Sequence, residues 1–125
     1  MVRIEGEVFG PSEHNHATSD IVYAGCIFEG VTFWDCACTS FEDCTFDEEC
    51  EFHYCVLFAF THCVVYQSSF KECYRVCLQY CTIRSCVPVD SLGEEERPFR
   101  NSTAKGCRAV EPSKQYKIYD DVYFR

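Results

Sequence analysis

From Ala24 onward, large apolar side chains fall at a fixed distance from small ones: Cys26 and Phe28, Val31 and Phe33, Thr39 and Phe41, Cys44 and Phe46. The unit is a small residue, any residue, a large apolar residue and two further residues; two such units are followed by a three-residue connector. In blocks, the chain reads AGCIFEGVTFWDC, ACTSFEDCTFDEE, CEFHYCVLFAF, THCVVYQSSFKEC and YRVCLQYCTIRSC, four of thirteen residues and one two residues shorter. With the short block shifted by two places, one column holds Phe28, Phe41, Phe52, Val65 and Leu78, and another Phe33, Phe46, Leu57, Phe70 and Ile83. This spacing does not fit a helix, whose buried face recurs every three or four residues. It fits short strands whose side chains alternate inward and outward.

Blocks stacked on each other place equivalent side chains in ladders, so the pattern predicts an all-β solenoid (parallel β-helix) of about five short rungs with capped ends. The rungs occupy 24–88 of a single domain spanning 1–125, with 1–23 as an N-terminal cap and loop and 89–125 as a loop and C-terminal cap. Val2 to Phe9 reads as a capping strand or a hairpin turning at Gly6 or Gly10, and Pro11 to Asp20 as a polar loop. Its His14 and His16 read as solvated rather than metal-binding. Ser91 to Lys105 is charged and irregular, and reads as a loop wrapping the end of the coil. The aromatic-rich segment 115–125 is expected to pack as a cap or to supply a homodimer contact.

The units CIF, VTF, TSF, CTF, CEF, CVL, CVV, SSF, VCL and CTI, from Cys26 to Ile83, resemble the repeats of the pentapeptide-repeat family. The resemblance implies a right-handed β-helix with the small and the central large residue pointing inward. Here the units pair at five residues and then skip eight, which departs from the family's steady spacing. A narrow coil of thirteen residues per rung is therefore favoured over a square coil with local insertions.

Twelve cysteines alter the picture less than their number suggests. The start of the chain has neither the basic flank nor the apolar run of an export signal, and no stretch is long and apolar enough to span a bilayer. A cytoplasmic location, with thiols kept reduced, is the expectation. Nine cysteines fall in the repeat columns (Cys26, Cys50, Cys63; Cys44, Cys55, Cys81; Cys36, Cys73, Cys86), and in two of those columns they alternate with Thr, Val and Ser. A zinc site demands a ligand at each of four positions; a slot that accepts any small residue reads as packing. No metal and no cofactor are expected.

The charge is uneven. Between Arg3 and Lys71 there is no Lys or Arg against twelve Asp and Glu, whereas from Lys71 onward ten bases face eight acids. Such a first half does not bind phosphates directly, and neither a membrane nor a nucleic-acid partner is expected. A Phe-filled solenoid offers no cleft for catalysis, so the chain reads as a binding protein and not an enzyme. Glu29, Asp35, Glu42, Asp43, Asp47, Glu48, Glu49 and Glu51 are expected on outward columns of the first rungs. The family resemblance implies a DNA-mimicking inhibitor of a nucleic-acid enzyme, of the gyrase or topoisomerase kind or a defence nuclease. A scaffold anchored by Trp34, Tyr54, Tyr66 and Tyr80 is the alternative, with Tyr54 and Tyr80 expected on one side of the coil.

Overall fold

The computed structural model describes residues 2–15, 20–84, 99–110 and 116–124. Among these residues all regular structure is strand, wound as a parallel β-solenoid of about four turns. The first turn is β1 (Val2–Glu5), β2 (Val8–Phe9) and β3 (Ser12–Asn15); the second is β4 (Ile21–Ala24), β5 (Ile27–Glu29) and β6 (Val31–Trp34). The third is β7 (Ala37–Glu42), β8 (Thr45–Asp47) and β9 (Glu51–His53). The fourth is β10 (Val56–Thr61), β11 (Val64–Tyr66) and β12 (Ser69–Lys71), followed by β13 (Cys73–Tyr74), β14 (Cys77–Gln79) and β15 (Thr82–Arg84). Beyond 85–98 the coil resumes with β16 (Phe99–Arg100) and β17 (Ser102–Val110), and β18 (Tyr116–Phe124) turns back antiparallel on β17.

The register corrects the predicted period. Phe41 lies beside Phe60 and Phe46 beside Phe28, so one turn takes eighteen or nineteen residues instead of thirteen. The inward side chains explain the count: Cys26, Val31, Cys36, Thr39 and Cys44 begin successive sides five, five, three and five residues apart. A turn is thus three five-residue sides and one three-residue side. The thirteen-residue blocks captured the local five-five-three rhythm but omitted one side, and so mixed residues from different sides in one column. A four-sided coil with one side shortened describes the molecule, rather than a narrow thirteen-residue rung.

Three ladders fill the interior. On the first side run Ile4, Tyr23, Phe41, Phe60, Leu78 and Ala104; on the second Phe9, Phe28, Phe46, Val65 and Ile83; on the third His14, Phe33, Phe52 and Phe70. Rings stack near-parallel along a ladder, 4.8 Å between Phe28 and Phe46 and 4.7 Å between Phe52 and Phe70, and meet edge-on between ladders, as Phe41 and Phe46 do at 4.9 Å. Both arrangements suit the ring quadrupole. Leu57, placed inward by the block alignment, is exposed, and Phe58 takes the core position.

Each corner needs a residue in the left-handed region. Four columns supply them: Gly25, Asp43, His62 and Tyr80; Gly30, Glu48 and Gln67; Asp35, Tyr54 and Glu72; Cys38, Leu57, Arg75 and Asn101. An L-residue there costs about 1–2 kcal/mol, offset because the corner amides bond to the next turn, Asp43 N–H to Thr61 C=O at 3.0 Å and Tyr54 N–H to Lys71 C=O at 2.9 Å.

The N-terminal segment is itself a turn of the coil. β1, β2 and β3 pair in parallel with β4, β5 and β6 and form the first turn, with Ser12–Asn15 a strand and not a loop. His14 is half-buried and stacks on Phe33 at 5.0 Å, and burial lowers its pKa; it is the first member of the third ladder, not a solvated residue. His16 lies outside the described residues. At the other end, Ser102 to Lys105 belongs to β17 instead of a loop, and β18 covers its far edge.

The cysteines are re-sorted by the true period. One column holds Cys26, Cys44, Cys63, Cys81 and Cys107, and a second, on the short side, Cys36, Cys55 and Cys73; Cys50 stands between Val31 and Ser68. All are buried, and the eleven described cysteines are free thiols; Cys86 lies outside the described residues. The thiols do more than fill space. Cys44 Sγ donates to Tyr23 C=O at 3.3 Å, Cys63 to Phe41 C=O at 3.3 Å and Cys81 to Phe60 C=O at 3.4 Å, each reaching the turn below. In the column of Cys50, Ser68 Oγ donates to Tyr66 C=O at 2.8 Å within its own turn, while Val31 fills the slot without a donor.

Candidate protein-binding face

The outward residues sort onto different sides of the coil. On the third side, Trp34 follows Phe33 at the end of β6, and Tyr54 follows β9 at the next corner. Alternation forces Trp34 outward because Phe33 points in, and the left-handed corner swings Tyr54 away from the core. Trp34 is 41% exposed and Tyr54 39%, and their rings meet edge-to-face at 5.6 Å. His53 pairs in register with Trp34 and lies against it at 4.7 Å. Its Nε2 is 3.6 Å from Glu51 Oε1, while its Nδ1 is buried without a hydrogen-bond partner.

Carboxylates rim this cluster. Asp35 stands at the corner beside Trp34; Glu51 lies on β9, within 3.4 Å of Thr32 Oγ1; Glu48 and Glu49 occupy the opposite corner; Glu13 extends the rim into the first turn. All five are exposed. The corner of Glu48 is fixed by its own neighbour, since Asp47 Oδ1 accepts the Glu48 N–H at 2.7 Å. Lys71 pairs in register with His53 one turn higher.

The remaining predicted residues are elsewhere. Glu29 and Asp47 pair on the second side. Glu42 closes β7 and is met by Arg3 Nη1 at 3.3 Å, while Arg3 Nε holds Glu5 at 2.6 Å; both contacts raise the Arg3 pKa, and Glu42 is thereby partly neutralised. Asp43 and Tyr80 share a corner column with His62, whose ring stacks on Tyr80 at 5.2 Å. Tyr54 and Tyr80 therefore lie at different corners, against the expectation of one side; the thirteen-residue period had placed them in one column. The acids do not run along the axis either. They girdle the first three turns, a belt about 10 Å tall at ~4.8 Å per turn.

Sequence reasoning missed His53, Thr32 and Glu13. His53 is legible only once the nineteen-residue step places it over Trp34. Among the described residues no set of His, Cys, Asp and Glu is arranged to hold a metal ion, and no helix is long and apolar enough to cross a membrane.

No protein-family model matches the chain, and neither does the sequence of any curated protein. The likeness to pentapeptide repeats rests on the repeat residues alone.

Proposed function

We propose that the chain is a binding protein whose third side docks on a cationic protein surface, and that the surface it fits is the nucleic-acid channel of an enzyme, which it then blocks as a mimic of the polyanion. The observation that carries this reading is an exposed Trp34–Tyr54 pair rimmed by the exposed carboxylates Asp35, Glu48, Glu49 and Glu51. Paired aromatics take up Arg and Lys heads through cation–π contacts, and carboxylates at the rim complete the recognition. The belt is short, so mimicry involves a few phosphate positions on one flank of the coil rather than a duplex-length run.

The test is displacement of labelled DNA from a purified topoisomerase, read by anisotropy, with a restriction-type nuclease in parallel. The expected result is displacement by the native chain, reduced at least about tenfold by Trp34→Ala and abolished by Glu48→Lys/Glu49→Lys/Glu51→Lys. Failure of the native chain on both enzyme classes removes the inhibitor reading. A second reading, a scaffold anchored by aromatics alone, draws on the central position of Trp34. It predicts partner binding insensitive to ionic strength, whereas charge-led docking weakens steeply as salt rises.

A further inference from the structure

The second side of the coil differs from the third: its outward columns change sign along the axis. One column runs Glu29, Asp47, Tyr66, Arg84, acid in the second and third turns and base in the fifth, with the Arg84 guanidinium 5.8 Å over the Tyr66 ring. The column beside it is flat and mostly uncharged, Val8, Ile27, Thr45, Val64 and Thr82, and ends in Arg108. Along the margin run Glu5, Ala24, Glu42, Thr61, Gln79 and Lys105, and at the corner Gly25, Asp43, His62 and Tyr80.

We propose that this side binds a second copy of the chain, face to face and with the two coils antiparallel. A two-fold axis along the strand direction, between the third and fourth turns, leaves each column on its own counterpart and reverses the order of turns. Glu29 then faces Arg84 of the other copy, Asp47 faces the Tyr66 hydroxyl, Asp43 faces His62 and Glu5 faces Lys105. Thr45 meets Val64 at the centre and Ile27 meets Thr82. Among the groups so paired, no charge opposes one of its own sign. The parallel arrangement fails this condition, because it sets the acidic turns of one copy beside those of the other, and like charges brought together are costly.

The self-complementarity sets the strength as well as the orientation. Five residues at ~3.3 Å by the five steps of ~4.8 Å between the six stacked strands gives roughly 400 Å² of face per copy, about half of the ~800 Å² per partner of a standard stable interface. The dimer is accordingly weak and is dissociated by salt. It uses neither Trp34 nor the third side, so it stands or falls apart from the proposed function, and it leaves two copies of that side outward.

Sedimentation velocity on the full chain over a concentration series, in low and high salt, tests the proposal. The expected result is a monomer–dimer equilibrium at low salt, weakened about tenfold or more by either Glu29→Arg or Arg84→Glu. The double variant Glu29→Arg/Arg84→Glu restores association, since the pair is rebuilt with its signs exchanged. Circular dichroism confirms folding, and Thr45→Arg at the centre carries the test if a charge reversal does not fold. A monomer at every concentration overturns the proposal. So does association that the double exchange fails to restore or that Thr45→Arg leaves unchanged, results that would move the contact to another surface such as β18.

Discussion

Raising the pH should destabilise this protein through its thiol column, starting below the pH at which lysines titrate. The hydrogen bond with Cys44 raises the Cys63 thiol, the bond with Cys81 lowers it, and burial adds to the rise, leaving it pushed up to about 12. Cys81 is also pushed up to about 12: the bond with Cys107 lowers it, but the bond with Cys63 and burial outweigh that. The unfolded reference for both is 9.0. Below that value both states keep the proton, and the stability is fully present. Above it the unfolded chain ionises first, so stability falls as pH rises from 9.0 towards about 12.

Each raised thiol loses about 1.4 kcal/mol per pH unit in this window, so the two together lose about 3 kcal/mol one unit above the reference. Cys107 and Cys55, raised by their partners Cys81 and Cys73 and by burial, act in the same sense. Cys44 and Cys73, held low by their bonds with Cys63 and Cys55, oppose them. Against a total stability of about 5–15 kcal/mol this is a large loss, and with a urea slope of about 2 kcal/mol/M it lowers the midpoint by about 1.5 M. The assay is urea unfolding followed by circular dichroism, at neutral pH and one unit above the thiol reference, with reductant throughout. Cys63→Ala/Cys81→Ala should cost about 1 kcal/mol per site at neutral pH yet flatten the alkaline loss. A midpoint that does not move with pH, or that moves equally in the double variant, refutes the reasoning.

Phe52→Ala, deleting a fully buried ring stacked between Phe33 and Phe70, should cost about 3–5 kcal/mol. Phe52→Leu should cost less than about 1.5 kcal/mol, because Leu78 already fills an equivalent ladder position; urea midpoints compare the two. Gly25 and Gly106 share a left-handed φ of 62°, but a Cβ on Gly106 would lie 2.7 Å from Tyr80 Cδ1 while one on Gly25 meets nothing. Gly106→Ala should therefore be the more damaging in thermal melts, and in NMR it should release the Tyr80 ring from His62. Maleimide at mildly alkaline pH should modify the half-buried Cys38 and Cys77 in the native protein, with the column cysteines labelled only after denaturant is added; mass spectrometry of the digest reads the order.

The solenoid and its inward residues were legible from the spacing of small and large side chains, because alternation along a short strand leaves a local signature. Cys44 with Phe46, or Cys63 with Val65, can be read without any knowledge of the rest. The length of a turn was not legible in the same way. It depends on which corner faces which, and the extra Glu48–Glu49 step and the three-residue side around Cys36 leave several alignments equally good in sequence. That single ambiguity accounts for the misplaced Leu57, the separation of Tyr54 from Tyr80 and the dispersal of Glu42 and Asp43 from Glu49 and Glu51. The role of β1 to β3 as a full turn was obscured because the first turn carries Ile4, Phe9 and His14 where later turns carry mainly Phe. Trp34 and its acidic neighbours were named from their outward phase alone, but their gathering around His53 required the register.

The left-handed corners have a further consequence for what this surface can become. Each corner residue is turned out of the core by its backbone, so its side chain is decoupled from the ladder it adjoins; one corner column accommodates glycine, aspartate, histidine and tyrosine in successive turns. The core therefore dictates little of what the corners display. The exterior behaves as a ruler with a mark about every 4.8 Å, on which recognition can be rewritten one mark at a time while the stack of rings inside stays the same.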